Sequence, residues 1–309
     1  MKFFQPLTGR RRGLAWLVLL GLPAILVTVQ TLYWQWACRR LDEGARVWMA
    51  SRNVAGWRLE AGVPAMAGWP LVARLTLPAP VATGPDGVGW TGERVVLQIR
   101  LWHPDRLSVD APGAQRLMLP KGDRIDFTAD RQHLDLPLRD ADASAEYSLS
   151  ASGISLLFSR YLVFGPTIES LSAAAFVSHA GVPPLGAPAP WLRAWRDRNG
   201  GVDIRQFALV WGKLDVTGHG TATLDAQLQP AAEGIASVAN FAVSIARLAD
   251  AGVIPGQTAS LVTGALTMLS GGSGTAEIPW RLDAGRLSAR PHPLLTIPLL
   301  TVPAFIWPP

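Results

Sequence analysis

An α+β fold is what the sequence predicts: predominantly an antiparallel β meander with a few packed helices, plus one N-terminal transmembrane helix. Three features predict it. A single long apolar run, Leu14 to Trp36, follows a basic head. From Trp57 onward the pattern switches to period-two alternation of apolar and polar residues, the mark of strands with one face on a core. Turn residues punctuate those alternating runs so closely that no crossover helix fits before residue 140, which argues against a parallel sheet there.

The apolar run reads LAWLVLLGLPAILVTVQTLYWQW. A helix of roughly two dozen residues at ~1.5 Å each reaches about 35 Å, enough to cross the hydrocarbon of a bilayer. Leu14 and Trp16 lie at its inner end, while Tyr33, Trp34 and Trp36 crowd the outer end, where amphipathic rings favour a headgroup boundary. These are the candidate anchor and interface residues. Lys2, Arg10, Arg11 and Arg12 precede the run, and Arg39 and Arg40 beyond it are offset by Asp42 and Glu43, so the positive-inside rule keeps the amino end cytoplasmic and exports the rest. A cleaved signal peptide is the competing reading, but its apolar part is shorter, about 7–15 residues, and ends in a small-x-small site that is absent here. Pro23 is tolerated inside such a helix. Gln35 and Trp36 are poor residues to precede a lipid-bearing Cys38, and the residues after Arg11 and Arg12 fit a twin-arginine signal poorly. The expected organisation is a basic head at 1–13, an anchor at 14–38, a juxtamembrane stem at 39–56, an exported β-rich domain at 57–290 and a proline-rich apolar tail at 291–309.

The single cysteine precludes an internal disulfide, so an oxidising compartment leaves no mark. The 28 basic and 23 acidic residues give a formal charge of +5, scattered and partly spent on the flanks of the anchor. That balance favours no nucleic acid as partner and suits mild attraction to an anionic bilayer surface. Of the 13 tryptophans, most are expected in the core and some at a headgroup boundary or in a partly wet pocket.

In chain order, Leu41 to Gly56 extends the helix as the stem. Strands follow at WRLEAG, LVARLTL, ERVVLQIRLW, RLSVDA, QRLML, RIDFTA and HLDLPL. Turns fall at Gly84 to Gly89, at Pro104 with Asp105, and at Lys121 to Asp123. AEYSLSASGISL is strand-like, with Leu156 to Val163 readable as a strand or a buried helix. Pro183 to Pro190 is a linker-like break. After it Trp191, Leu192 and Trp195 share a helical face ringed by Arg193, Arg196 and Arg198. That helix is either one packed on the sheet, the favoured reading because it is so short, or one lying on a membrane surface. Val202 to Val210 and Lys213 to Gln227 resume the alternation around a turn at Trp211 and Gly212. Asn240 is placed to cap a helix carrying Phe241, Ile245, Leu248 and Ala249, ending at Gly252. A second helix runs from about Gln257 to Leu269 and stops at Gly271 and Gly272. Strands return at TAEIPWRL and GRLSAR, and the tail from Pro291, broken by Pro298 and Pro303, covers a sheet edge or reaches a partner.

The anchor, the segment GVPAMAGWPLVARLTLPAP at Gly62 to Pro80 and the segment WGKLDVTGHGTATLDAQLQP at Trp211 to Pro230 together resemble the bacterial family called domain of unknown function 2125. Leu71 stands where many members carry an aromatic, and Ala231 where a glycine follows the proline. The resemblance implies a protein anchored in the bacterial inner membrane by a single pass, with its C-terminal domain periplasmic, and it brings no activity with it. The strand and helix ending also resembles, at fold level, the large envelope proteins of the AsmA type, which are associated with lipid handling.

Chemistry-bearing motifs are scarce. His103, His133, His179, His219 and His292 form no His-Glu-x-x-His and no Cys/His group, so no metal is expected. Asp215, His219 and Asp225 share strand parity, but Gly218 and Gly220 are expected to interrupt that strand, which makes a structural turn the better reading. Cys38 has no evident base, no Gly-x-Ser-x-Gly occurs, and Gly271 to Gly274 follows a helix without the lysine of a phosphate loop. The pairs Asp123 with Asp126 and Asp140 with Asp142 sit near turns, where solvated carboxylates are ordinary. No catalytic, cofactor-binding or metal residues are assigned. The expectation is binding or scaffolding in the cell envelope, with the membrane and a lipid or another envelope protein as partners. An unrecognised envelope hydrolase and a purely structural docking subunit are the alternatives.

Overall fold

The computed structural model describes residues 9–54, 56–85, 87–119, 123–138, 144–158, 162–179, 188–292 and 295–301, with side chains from residue 21 onward except at 158, 188, 269 and 290–301. Helix α1, Gly9–Val54, is one continuous helix of 46 residues with Pro23 inside it, so the predicted anchor and stem are a single rod. Gln30, Trp34, Ala37, Cys38, Leu41 and Ala45 recur every three or four positions and form the stripe that meets the sheet. By contrast residues 22–29, LPAILVTV, are exposed around the whole circumference. The one side-chain hydroxyl there, on Thr28, is satisfied inside the helix by Ala24 O at 2.8 Å. Among the described residues no helix is long and apolar enough to cross a membrane. The transmembrane span is therefore not part of what the fold establishes, and the side chains of its first residues, Leu14 and Trp16, lie outside the described residues.

Among the described residues the strands form one 17-stranded sheet, antiparallel at every pairing. Its first part comprises β1 (Arg58–Glu60), β2 (Ala65–Ala67), β3 (Val72–Pro78), β4 (Val81–Thr83), β5 (Gly89–Gly92), β6 (Arg94–Arg100), β7 (His103–Asp110) and β8 (Gly113–Met118). Then come β9 (Arg124–Pro137), β10 (Ala145–Phe158), β11 (Thr167–Val177), β12 (Val202–Trp211), β13 (Leu214–Leu224), β14 (Pro230–Ala239), β15 (Thr275–Asp283), β16 (Arg286–His292) and β17 (Leu295–Thr301). From β9 to β17 each strand pairs with the next in the chain. The other edge of β9 divides: its first half pairs with β8, which leads on to β5, β4 and β1, and its second half pairs with β7, which leads on to β6, β3 and β2.

Helix α2 (Pro188–Asp197) lies between β11 and β12 in the chain, and α3 (Phe241–Asp250) and α4 (Gly256–Leu269) between β14 and β15. Phe241, Ile245, Ala259 and Leu266 of those two helices close over Ala276, with Val238 and Ile278 beside it. At the other end of the sheet α1 sets Leu41 against Leu75 and Leu77, and Cys38 against Ala73.

Several expectations change. RIDFTA and HLDLPL, expected as two strands, are one strand of 14 residues, because pairing with β10 along its length holds the backbone extended where local alternation falters. β13 runs unbroken through Gly218 and Gly220, held by neighbours on both sides. Asn240 precedes α3 with φ 54 and makes no side-chain cap; its carbonyl accepts the Ser244 amide instead. Leu156 to Phe158 belong to β10, which removes the helix alternative from that part, while residues 159–161 lie outside the described residues. Most of the break at Pro183 to Pro190 also lies outside them, with α2 opening at Pro188. Part of the tail is β17, paired on β16, so it does cover an edge.

Candidate functional site: an apolar face across ten strands

Period-two alternation and the observed register together place one face of the sheet under a row of apolar residues. Opposite one another in sequence stand Leu75, Leu97, Val109, Leu134, Leu149, Ala173, Phe207, Gly218, Ala236 and Ile278, one from each of β3, β6, β7, β9, β10, β11, β12, β13, β14 and β15. Nine interstrand steps of ~4.8 Å make that row about 43 Å long. A second row on the same face holds Tyr147, Ala175, Ile204, Gly220, Gly234, Trp280 and Ala289. A third holds Ala151, Leu171, Leu209, Val216, Val238 and Ala276.

Helices cover the ends of this face, and among the described residues its middle is more exposed. Leu75 lies under α1, and Ile278 and Ala276 lie under α3 and α4, whereas Leu149 at mid-row is 39% exposed. Two aromatic rings rest on glycines there. A Cβ at Gly218 would stand 2.5 Å from the Phe207 ring, and one at Gly220 or Gly234 would stand 2.8 Å from the Trp280 ring. The two rings meet edge to face with centroids 6.2 Å apart. Burial in this face pushes the Tyr147 hydroxyl above its ordinary pKa.

The reverse face is mostly polar, with Phe176, Val210 and Ile235 as apolar exceptions. There Ser148, Ser150 and Ser152 stand opposite Asp135, His133 and Arg131, and Thr217 and Thr221 stand opposite Ser237 and Glu233. A hydrogen-bonded network occupies it: His133 Nδ1 meets Asp110 Oδ1 at 2.7 Å, its Nε2 meets Asp135 Oδ1 at 3.2 Å, Ser108 Oγ donates to Asp135 at 2.6 Å and Gln98 Nε2 donates to Asp110 at 2.6 Å. Histidine, carboxylate and hydroxyl thus come together, but in the wrong order for a nucleophilic triad. The hydroxyl gives its proton to a carboxylate, and both ring nitrogens already face carboxylates, so neither is left to act as base toward Ser108. Among the described residues no group of three His, Cys, Asp or Glu could hold a metal ion.

Other residues singled out in the sequence resolve as follows. Asp215 and His219 share a strand face, while Asp225 sits in the next turn, where its Oδ1 accepts the amides of Gln227 and Gln229 at 2.8 Å each. Asp126 pairs with Arg116, whose hydrogen bond holds the carboxyl below the usual aspartate range, and Asp140 and Asp142 lie outside the described residues. Gly271, Gly272 and Gly274 all take positive φ after α4, as a helix stop requires. Tyr33 and Trp36 are exposed and stacked with centroids 5.8 Å apart, whereas Trp34 is half-buried and donates to Val72 O at 2.9 Å. Trp191 is half-buried on α2, and Trp195, buried, donates to Ser178 O at 2.8 Å. The apolar row was not anticipated residue by residue. Its signal was the alternation itself, but which alternating residues stand side by side depends on a register no single strand encodes.

No curated protein and no solved structure matches the chain. A sequence model of the family described as an uncharacterized protein conserved in bacteria (DUF2125) matches residues 34–145 and 123–298, and the two segments overlap across β9. Together they take in every strand from β1 to β16 and most of β17, and on that match the chain belongs to the DUF2125 family.

Proposed function

We propose that this chain is an inner-membrane-anchored periplasmic protein that holds the hydrocarbon part of a lipid against the open middle of its apolar sheet face. The observation that carries the reading is the ten-strand apolar row, covered at both ends by helices and open at Leu149. Each methylene taken out of water contributes about 0.8 kcal/mol, so ten of them seated on this face gain about 8 kcal/mol before ordering costs. Tethering is supported by residues 22–29 of α1: a helical stretch apolar on every side and exposed among the described residues belongs in hydrocarbon. Arg10, Arg11 and Arg12 in the first turns of α1, with Lys2 before it, set its orientation. Lipid handling, with which the AsmA-type proteins are associated, fits the same face.

Native mass spectrometry of the detergent-extracted full-length protein tests it. Wild type is expected to carry bound lipid, and Leu149→Asp to lose it while remaining folded. Wild-type protein that carries no lipid and extracts none from vesicles sinks the reading.

A further inference from the structure

Two strand turns lie against the outer part of the apolar stretch of α1. In the β2–β3 turn, Pro70 O accepts from Gln30 Nε2 at 2.6 Å and Trp69 Nε1 donates to Thr31 Oγ1 at 3.2 Å. At the start of β3, Val72 O accepts from Trp34. The β6–β7 turn is fastened to the first: Leu101 N donates to Leu71 O at 3.1 Å, and the Leu101 side chain packs against Ala37, Cys38 and Ala73. Gly68 makes this approach possible, since its φ is +94 and a Cβ there would lie within 2.4 Å of Val72 O.

These turns face outward with large apolar groups. Trp69 is 53% exposed, Leu71 54% and Trp102 54%, and on the helix Trp36 is 55% exposed. Water is a poor surrounding for such large apolar side chains, whereas indole rings with an apolar body and a polar edge suit the boundary between headgroups and acyl chains. Exposed Arg39, Arg40 and Arg100 stand just beyond them, Arg100 opposite Val72 in register and Arg40 5.9 Å over the Trp36 ring. Cations there suit lipid phosphates.

We propose that Trp69, Leu71 and Trp102, together with Trp36, form a belt that inserts into the headgroup boundary of the phospholipid bilayer crossed by α1. The sheet then stands on the membrane by its β2–β3 and β6–β7 turns. The belt sits at the β3 and β6 end of the sheet, where α1 covers Leu75. This inference rests on the membrane tether of the proposed function and not on lipid being held by the row.

The test uses full-length protein in vesicles of phosphatidylethanolamine and phosphatidylglycerol, in a Cys38→Ala background. An environment-sensitive fluorophore is attached in turn at Leu71→Cys, Trp102→Cys and Val63→Cys. Val63 is 88% exposed and lies beyond the Ala65–Thr76 pair, about 20 Å of strand from the Pro70 turn. Labels at 71 and 102 are expected to be quenched severalfold more than the label at 63 by lipids spin-labelled near the headgroup, and to be shielded from aqueous iodide. Equal exposure of all three labels to iodide in protein that floats with the vesicles overturns the belt while leaving the tether standing. Protein that does not float with the vesicles overturns both. Loss of bound lipid with the quenching pattern intact leaves the belt standing and removes only lipid holding.

Discussion

At Gly220 one methyl group decides the shape of the apolar face. A Cβ there would stand 2.4 Å from Glu233 O and 2.8 Å from the Trp280 ring, and the backbone oxygen cannot yield. Gly220→Ala is expected to lose about 1–3 kcal/mol in urea unfolding, in the range of overpacked cores, and to shift the tryptophan emission as Trp280 moves. Trp195 closes the nearby end of β11 through Ser178 O, with Gly200 against its ring, and Trp195→Ala is expected to cost about 3–5 kcal/mol by the same measurement. Asp126 carries a pH dependence whose sign is fixed by its partner. Arg116 depresses the folded carboxyl below its ordinary value of 3.8, so the pair contributes above that value and its contribution is lost as the pH falls through the lower folded one. Asp126→Asn is therefore expected to lower stability near neutrality and to flatten the acid limb below about pH 4, where its profile converges with that of the wild type. Little of this was readable beforehand. A tryptophan in a sequence does not say whether its ring meets a glycine, like Trp195, or a backbone carbonyl of a distant strand, like Trp34.

Elements were more legible than residues where the signal is local. The strand of LVARLTL, the helix ending at Leu269 and the hairpin closed by Ala284 and Gly285 are all present, each carried by alternation, by a glycine stop or by a two-residue turn at positive φ. The short strands β2, β4 and β5 were not expected, since three or four residues are too few to show a period, and their partners alone make them strands. The same holds for the uninterrupted β9 and β13. α1 gave up its length to periodicity but not its role: Leu41 and Cys38 look like any stem residues until Leu75 and Ala73 are found beneath them. A chain beginning at Trp57 lacks that cover and is expected to aggregate, whereas one beginning at Gln30 keeps the whole contact stripe and is expected to elute as a defined species in size-exclusion chromatography in mild detergent.

For the whole molecule, alternation predicted a two-faced sheet, and the molecule has one, apolar on one side and mostly polar on the other. What alternation cannot convey is connectivity. β9 receives two separate ribbons on one edge and begins the long meander on the other. It is also the stretch common to both matched segments of the family. A gene broken at this point would yield two polypeptides, each with a raw margin of unpaired amides and carbonyls. Neither half is a module that recombination can trade. Inheritance of this architecture is expected to be all or nothing, with one strand serving as the hinge of a book whose covers cannot be bound separately.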